Sequence, residues 1–169
     1  MMNLNPLDFD MLHMTLDDLP KVIENEQISH QHPWSENNFK DSIDSGYWAY
    51  IFKLKNQSSN TLGDSEVIGH CVFMPGVDEI HLLNITVLPS IRRQHVASRV
   101  LRTIEPLALK EDLNKVFLEV RVSNAPAIEL YKRNGYQEIS RRKNYYRSGY
   151  DSDGKLLHED TIIMVKDLI

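Results

Sequence analysis

The chain has 169 residues, a formal net charge of −5 and one cysteine. This length suits a single domain spanning 1–169, and the net charge argues against a broad nucleic-acid-binding surface. One cysteine excludes an internal disulfide, no apolar run is long enough to cross a membrane, and the acidic N-terminus lacks the features of a signal peptide. We therefore expect a cytoplasmic protein with no membrane contact.

Hydrophobic periodicity and turn residues predict seven strands and four helices. The predicted strands are 11–15, 47–54, 67–73, 79–87, 116–122, 136–146 and 161–168. The predicted helices are 16–27, 36–43, the segment from the turn at 90–94 to residue 109, and 125–133. Two polar segments, 56–65 and 148–155, are predicted connections. This order of elements predicts an α/β domain with a mixed sheet and helices on its faces.

Two of these helices carry specific predictions. In the first helix, the apolar face is predicted to consist of Leu16, Leu19, Ile23 and Gln27. Ser35 is the predicted N-cap of the second helix, because its hydroxyl can accept a hydrogen bond from a first-turn N–H. The first fifty residues, which include both helices, hold nine acidic and two basic residues, a balance that can attract a basic partner.

The junction between the fourth strand and the third helix suggests an anion site. An apolar, β-branched run ends at Pro89, and the turn at 90–94 carries Arg92 and Arg93. The first turn of a helix offers free backbone N–H groups and the positive end of the helix dipole. The pattern favours a phosphate site, although many α/β domains carry a basic residue at such a junction without binding phosphate.

Glu119 lies inside an apolar strand and shares one face of it with Phe117 and Arg121. Two interpretations are open for this carboxylate. It can form an ion pair with Arg121, which is common on a sheet, or it can act as a general base in a partly dry site.

The helix that follows offers two further candidates. Asn124 is its predicted N-cap, with Pro126 in the first turn, and contact with a ligand is an open alternative. Tyr131 either packs in the core with Ala127 and Ile128 or supplies a phenol that protonates a leaving thiolate.

Three other candidates have simpler explanations. His30 and His32 suggest a metal pair, but no third ligand is evident, and a solvated loop is the expectation. Cys71 is expected to be a buried core residue, because no base lies near it in the strand pattern. Trp34 is expected to be a buried aromatic anchor, unless it lines a binding groove.

Four stretches, in this order and spacing, resemble the GCN5-related N-acetyltransferase family. They are 32–35; 84–87 with Pro89 and the turn after it; 118–121 with 123–125 and 130–131; and 141–146 ahead of 159–164. The resemblance covers nearly the whole chain. It implies a single domain whose central sheet is mixed, mostly antiparallel and about seven-stranded, with four helices on its faces.

The resemblance also implies roles for individual residues. Acetyl-coenzyme A would be the co-substrate, with its pantetheine arm on strand backbone and its pyrophosphate at the turn, and no metal is expected. The implied cofactor-binding residues are Ile85, Thr86, Val87, Arg92, Arg93, Gln94, His95, Val96, Ala97, Ser98 and Asn124. Glu119 would take a proton from the amine through water, Tyr131 would return one to the thiolate, and Trp34 and Tyr145 would contact the acceptor.

The sequence departs from the family at the cofactor loop. The family pattern is Gln/Arg-x-x-Gly-x-Gly/Ala, whereas residues 92–97 read Arg-Arg-Gln-His-Val-Ala, with His95 in place of the first glycine. Glycine lets backbone approach a phosphate closely. His95 could crowd the pyrophosphate or could add a hydrogen-bond donor. Pro106 is expected to remove one backbone hydrogen bond from the third helix and to bend it.

Within the family, the chain resembles enzymes that acetylate the N-terminal alanine of a ribosomal protein. The implied reaction is direct acetyl transfer in a ternary complex, with small-subunit ribosomal protein eighteen as acceptor. An N-terminal amine has a pKa of about 7.7–8.0, so its deprotonation near neutrality costs only about 1 kcal/mol. Two alternatives remain: an enzyme that acetylates lysines or a small-molecule amine, and a degenerate, non-catalytic acetyl-coenzyme A-binding module.

Overall fold

The structure is a computed structural model that describes residues 7–55, 66–150 and 152–169. The predicted polar connection 56–65 lies outside these residues. Within the described ranges, no helix is both long and apolar enough to span a membrane.

Seven strands form one mixed sheet in the order β1-β2-β3-β4-β5-β7-β6. The strands are β1 Phe9–His13, β2 Trp48–Leu54, β3 Val67–Pro75, β4 Glu79–Val87, β5 Lys115–Arg121, β6 Gln137–Tyr150 and β7 Leu156–Asp167. The α-helices are α1 Leu19–Ser29, α2 Glu36–Asp44, α3 Val96–Lys110 and α4 Ala125–Arg133. β4 pairs with β5 in parallel, whereas β1–β2, β2–β3, β5–β7 and β6–β7 are antiparallel. The predicted α/β class, with a mixed seven-stranded sheet and four helices, is confirmed.

The chain divides into two compact units, and the division falls inside β4, between Leu82 and Leu83. The first unit runs to Pro75 and includes 83–101, and the second contains 76–82 and everything from Arg102 onward. The first unit has a core of Met14, Leu19, Val22, Phe39, Ala49, Ile51, Val67 and Val72. In the second unit, the buried apolar side chains include Leu118, Val120, Ile162 and Met164. The prediction of one domain over 1–169 stays a prediction.

The buried face of α1 differs from the predicted one. Residues Leu16–Asp18 form a separate 3-10 turn, so α1 begins at Leu19 with Pro20 in its first turn. This start sets the phase of the helix, and Leu16 and Gln27, both predicted to be buried, are exposed. The buried residues of α1 are instead Leu19, Val22, Asn25 and Glu26. A carboxylate is thereby brought into the interior of the first unit.

The starts of α2 and α3 follow the sequence closely. Ser35 caps α2 by accepting a hydrogen bond from the Asn38 N–H at 3.4 Å, as predicted. α3 begins later than the change of periodicity suggested, because a 3-10 turn, Pro89–Ile91, and an irregular loop precede it. The apolar residues of α3 at helical spacing are buried, apart from the half-buried Leu107; they are Val96, Val100, Leu101, Ile104 and Ala108. Pro106 lies inside α3, and the helix continues past it to Lys110.

The last two strands form a longer hairpin than predicted. β6 continues to Tyr150, so the predicted connection 148–155 begins too early, and β7 begins at Leu156 and not at the predicted residue 161. Nearly all of β6 is exposed, and a strand without a buried face shows no alternation of apolar and polar residues from which its length can be read. The β6–β7 register shifts between Arg142 and Tyr146, which marks a bulge.

Candidate active site

Two residues of the loop between β4 and α3 have backbone conformations that glycine adopts more easily than other residues, although the loop lacks the first glycine of the family pattern. Arg93 and His95 have positive φ angles of 63° and 61°, in the left-handed region that glycine adopts without strain. α3 starts its hydrogen bonding at His95, whose carbonyl accepts from the Arg99 N–H at 3.0 Å. Successive residues of alternating handedness can turn their N–H groups toward one point, as in anion-binding nests. The loop therefore has left-handed residues of the kind found in such nests, even though its sequence departs from the family pattern.

The side chain of Arg92 is engaged with backbone. Its Nε donates to the carbonyl of Val87 at 3.1 Å, and its Nη2 donates to the carbonyl of Ser29 at 3.0 Å. Ser29 is the last residue of α1, where a cation also stabilises the negative end of the helix dipole. Arg92 thus ties the end of β4 to the end of α1, while the side chains of Arg93, Gln94 and His95 are exposed.

Strand β4 is held closely against β3 at Thr86. A side chain at Gly69 of β3 would collide with the Thr86 carbonyl and with the Phe52 ring, so only glycine allows this approach. The N–H of Leu88 donates to the carbonyl of Ile68 at 2.9 Å. These contacts fix the backbone of Ile85, Thr86 and Val87, the segment predicted to bind the pantetheine arm.

Beside this strand, the first unit contains a buried polar network centred on Glu26, a residue for which the sequence predicted no role. The Glu26 side chain is 1% exposed. Its Oε1 accepts from the Trp34 backbone N–H and from Asn84 Nδ2, each at 3.0 Å. Its Oε2 accepts from the Thr86 hydroxyl at 2.7 Å and lies 3.1 Å from His70 Nε2. Four neighbours from three parts of the chain, the Trp34 segment, β3 and β4, therefore surround one carboxylate.

These partners determine the charge of Glu26. Burial alone would raise the pKa of its carboxyl. The hydrogen bonds from His70, the Trp34 N–H and Thr86, together with the nearby His30, outweigh burial and lower the pKa to about 2. Glu26 is thus a stable anion that accepts a proton only in strong acid, and this excludes it as a general base near neutrality.

His30 belongs to the same network and is not a solvated loop residue as expected. Its Nε2 lies 2.7 Å from the Thr86 hydroxyl and 3.5 Å from Glu26 Oε2. Burial lowers the pKa of His30, Glu26 raises it in part, and the net direction is downward. No group of three or more metal-ligating side chains occurs in the part of the chain that the structure describes.

In the second unit, Glu119 forms an ion pair with Arg142, and not with Arg121. The Arg142 Nη1 lies 2.8 Å from Glu119 Oε1, and the Glu119 side chain is 30% exposed. Arg121 instead donates to Glu159 at 2.6 Å. The first of the two interpretations, a Glu119–Arg121 pair, does not hold, because β7 lies beside β5 and Arg142 reaches Glu119 from β6 on the other side of β7.

Aromatic side chains connect Glu119 with the predicted acceptor contact. The Arg142 guanidinium lies 5.3 Å from the centre of the Tyr145 ring, and Tyr145 packs edge-on against Tyr146 with 5.0 Å between ring centres. Arg121 lies over the Tyr146 ring at 4.1 Å. The bulge of β6 brings these tyrosines together and is held by a hydrogen bond from the Asn144 N–H to Asp160 at 2.9 Å.

Tyr131 is buried on α4, and its ring packs edge-on against Tyr136 with the centres 5.7 Å apart. Tyr136 is a ring partner that the sequence did not suggest, and packing of Tyr131 with Ala127 and Ile128 stays a prediction. Burial, with a smaller contribution from Tyr146, raises the pKa of the Tyr131 phenol, which stays protonated at neutral pH. Burial also raises the pKa of Tyr146, with a further contribution from the Glu119 charge. Glu119 and Tyr131 thus both lie within electrostatic reach of Tyr146.

The structure also shows the positions of the remaining candidate residues. Asn124 is the N-cap of α4 and accepts from the Ala127 N–H at 3.3 Å, as predicted. The Trp34 ring is half-buried, 5.3 Å from the ring of Phe39. Cys71 is fully buried, and burial raises the pKa of its thiol, which excludes a reactive thiolate.

Sequence reasoning missed Glu26, His70, Gly69, Arg142 and Tyr146. A usable signal existed for Glu26, since it stands three and four residues from apolar positions on α1, where a charge on the buried face indicates a polar network. Arg142 and Tyr146 lie in a stretch already quoted for the family resemblance, but their contacts cross two strands and a bulge, and no local pattern encodes these contacts.

Comparison with known proteins gives consistent results. Residues 16–136 match the profile of the acetyltransferase (GNAT) family. The ribosomal protein bS18–alanine N-acetyltransferase of Escherichia coli (strain K12) is 33% identical over 147 residues, which cover 87% of this chain and 89% of that protein.

Two solved structures share the architecture. The crystal structure of the ribosomal-protein-S18-alanine N-acetyltransferase from Escherichia coli superposes with a TM-score of 0.76 at 30% identity, covering 95% of this chain and 94% of that one. A GNAT family acetyltransferase from Elizabethkingia anophelis with acetyl-CoA bound gives a TM-score of 0.70 at 18% identity, covering 94% and 97%, and shows the common fold. The similarities extend over both compact units.

Proposed function

The chain belongs to the acetyltransferase (GNAT) family, and on this premise we propose that it transfers the acetyl group of acetyl-coenzyme A to the N-terminal α-amine of a protein that begins with alanine. The proposed acceptor is ribosomal protein bS18, the protein named for the similar Escherichia coli enzyme. The proposed transfer is direct, with both substrates bound together, and the whole chain acts as one acetyltransferase domain.

The observation that carries the proposal is the pair of proton-transferring groups around Tyr146. Glu119 is a partly exposed carboxylate whose Oε1 is paired with Arg142, so Oε2 remains to accept a proton from the amine through water. Tyr131 is a buried phenol that burial keeps protonated. A base that is open to water and an acid that is kept in its protonated form are the two groups that the reaction requires.

The proton and bond balance follows from these roles. The neutral amine forms a bond to the thioester carbonyl carbon, the carbon–sulfur bond breaks, Glu119 receives the proton that the amine loses, and Tyr131 supplies a proton to the departing thiolate. Arg142 holds one Glu119 oxygen in place during the transfer. It also lies over Tyr145, which we propose contacts the acceptor together with Trp34.

The proposed phosphate contacts are the backbone of Arg93 to Ser98, and the proposed pantetheine contacts are the backbone of Ile85 to Val87, with Asn124 as a further contact. Support comes from the left-handed residues of the loop and from the close β3–β4 approach at Gly69, which fixes this backbone in advance. Arg92 acts by holding Val87 and Ser29, and the exposed Arg93 adds positive charge.

The test uses three matched peptides with acetyl-coenzyme A and mass spectrometry. One begins with alanine and continues with several Arg or Lys residues, the second begins with alanine and is otherwise neutral, and the third is the basic peptide with its N-terminus blocked and one internal lysine free. We expect the first to react fastest, and its advantage over the second to fade with salt, because the acidic first fifty residues act mainly on encounter.

Each other result has a defined meaning. Faster acetylation of the blocked peptide overturns the α-amine proposal in favour of lysine. Acetylation of polyamines or aminoglycosides without acetylation of any peptide indicates a small-molecule acceptor. Coenzyme A binding without acetylation of any of these amines identifies a non-catalytic binding module. Equal rates for the two alanine peptides at low salt remove the charge argument and leave the chemistry in place.

A further inference from the structure

In the segment 31–35, between α1 and α2, the backbone of Trp34 is hydrogen-bonded to a buried side chain of α1. The backbone N–H of Trp34 donates to Glu26 Oε1 at 3.0 Å. Trp34 and Ser35 also contact α2, through the Phe39 ring and the Ser35–Asn38 capping box, and the Trp34 side chain packs against the core of the first unit. Glu26 therefore determines where the backbone of Trp34 stands relative to the strands behind it.

The same carboxylate holds side chains of β4 and β3. Asn84 and Thr86 of β4 donate to its two oxygens, and His70 of β3 lies against Oε2. One charged group thus links the segment proposed to contact the acceptor with the strand proposed to carry the acetyl donor. Because the pKa of Glu26 is lowered to about 2, this group is ionised throughout the neutral range.

β4 and the Trp34 segment depend on Glu26 to different extents. β4 keeps its position through backbone pairing, the Leu88–Ile68 hydrogen bond, and the Arg92 contact to Val87. The Trp34 backbone has the Glu26 carboxylate as its partner. Loss of Glu26 should therefore displace the Trp34 segment and leave the backbone of β4 nearly unchanged.

We propose that Glu26 is a positioning residue for the acceptor, and that it sets acceptor affinity and the selectivity for a small first side chain by fixing the backbone of Trp34. This inference rests on the proposed function for the identity of the acceptor. The anchoring itself rests on the hydrogen bonds of Glu26 alone.

Glutamine has nearly the same shape as glutamate but carries no charge and has one acceptor oxygen in place of two. The Trp34 N–H, Asn84 Nδ2 and the Thr86 hydroxyl donate to the carboxylate, and His70 Nε2 faces it. In glutamine, the hydrogen bond to the Trp34 N–H loses its charge assistance if the amide oxygen faces Trp34, and is lost if the NH₂ group does. Glu26→Gln therefore weakens the anchor with almost no change in volume. Glu24→Gln is the matched control, since Glu24 lies on the exposed side of the same helix and pairs with Lys21.

The experiment combines hydrogen–deuterium exchange with steady-state kinetics and calorimetry. In Glu26→Gln we expect fast exchange at the Trp34 amide, a rise of about tenfold in the KM of the alanine-starting peptide, and a coenzyme A affinity within about twofold of wild type. The rate ratio between alanine-starting and leucine-starting peptides should fall. Glu24→Gln should match the wild type in every measurement.

A merely structural role gives a different pattern. Loss of folded protein lowers the measured kcat in proportion to the active fraction and leaves the peptide KM unchanged, and this result overturns the proposal. So does continued protection of the Trp34 amide, or a coenzyme A affinity that falls together with peptide affinity. Should Glu26→Gln fail to fold, Asn84→Ala removes one of the donors to Glu26. It must then show a smaller KM rise in the same direction.

The proposed acceptor and the proposed positioning role of Glu26 are contradicted by different results. If the wild type acetylates lysine peptides in preference to N-termini, the proposed acceptor is wrong. The KM comparison is then made with the lysine peptide, and the exchange measurement at Trp34 is unaffected. An unchanged lysine-peptide KM in Glu26→Gln, despite fast exchange at Trp34, overturns the positioning role.

Discussion

Two carboxylates of this protein, Glu26 in the first compact unit and Glu119 in the second, differ in burial and in hydrogen bonding. Glu26 is 1% exposed, has four hydrogen-bonding neighbours, and has a pKa lowered to about 2. Glu119 is 30% exposed and has one ion pair, on one oxygen. A fully satisfied anion resists protonation and stabilises structure, whereas a base must keep a lone pair available. Deep burial with complete hydrogen bonding is therefore an argument against a catalytic role, and a partly solvated carboxylate beside a protonated phenol is an argument for one.

The largest expected effect comes from removing the basic function of the exposed carboxylate. Glu119→Gln should lower kcat about 10³-fold, which corresponds to about 4 kcal/mol, because the amide cannot accept the proton. The folding stability should change little, since the side chain is partly solvated. Initial rates with the alanine-starting peptide measure the effect, and Glu138→Gln, which alters an exposed ion pair with Arg141, serves as control. A loss below tenfold would leave Glu119 with a structural role only.

The second prediction concerns the buried carboxylate of Glu26, whose replacement should lower the free energy of unfolding. The pKa of Glu26 is lowered from 4.5 to about 2 in the folded protein, so its stabilising contribution is complete above pH 4.5 and is lost as the pH falls through about 2. The contribution is on the order of 3 kcal/mol. Urea denaturation should be measured from about pH 6 down to about pH 3. The difference in the free energy of unfolding between wild type and Glu26→Gln should become smaller as the pH falls. Glu24→Gln, on the exposed side of the same helix, is the control, and a difference for Glu26→Gln that does not become smaller with acid would contradict the charge assignment.

These two residues also mark the limit of what the sequence could predict. β4 and α4 were predicted with correct bounds, and Ser35 with its correct role, because strand alternation, capping residues and turn residues are local signals. The Glu26 network was missed because the 3-10 turn Leu16–Asp18 shifted the phase of α1, and its partners lie up to 60 residues away in the chain. The Glu119–Arg142 pair was missed for a related reason, since it depends on which strands are neighbours.

The third prediction separates packing from proton transfer in the second unit. Tyr131→Phe should lower kcat about 10²-fold, or about 2.7 kcal/mol, and leave coenzyme A affinity nearly unchanged. The effect should be smaller than that of Glu119→Gln because a thiolate leaves more readily than an amine loses its proton without a base. Tyr136→Phe is the matched control, as Tyr136 is buried against the same ring and burial likewise raises the pKa of its phenol. Equal losses in both variants, with chemistry rate-limiting, would assign Tyr131 to core packing.

The smallest expected effect concerns the shape of the loop itself. His95 has a φ of 61° in the position where the family has glycine, and a residue with a β-carbon is strained there by about 1 kcal/mol. His95→Gly should therefore raise the free energy of unfolding by about 0.5–1 kcal/mol, since part of the relieved strain is offset by the greater freedom of glycine in the unfolded chain. Asp112→Gly, at a φ of 59° outside the loop, measures the gain in stability from placing glycine at a left-handed position far from the proposed phosphate contacts.

Calorimetry with coenzyme A then tests the side chain of His95. A higher affinity in His95→Gly shows that the imidazole crowds the phosphates, and a lower affinity, with the stability gain intact, shows that it is a phosphate contact. If neither variant is more stable than wild type, the loop is not strained at these φ angles, and the backbone shape that supports the phosphate site is wrong.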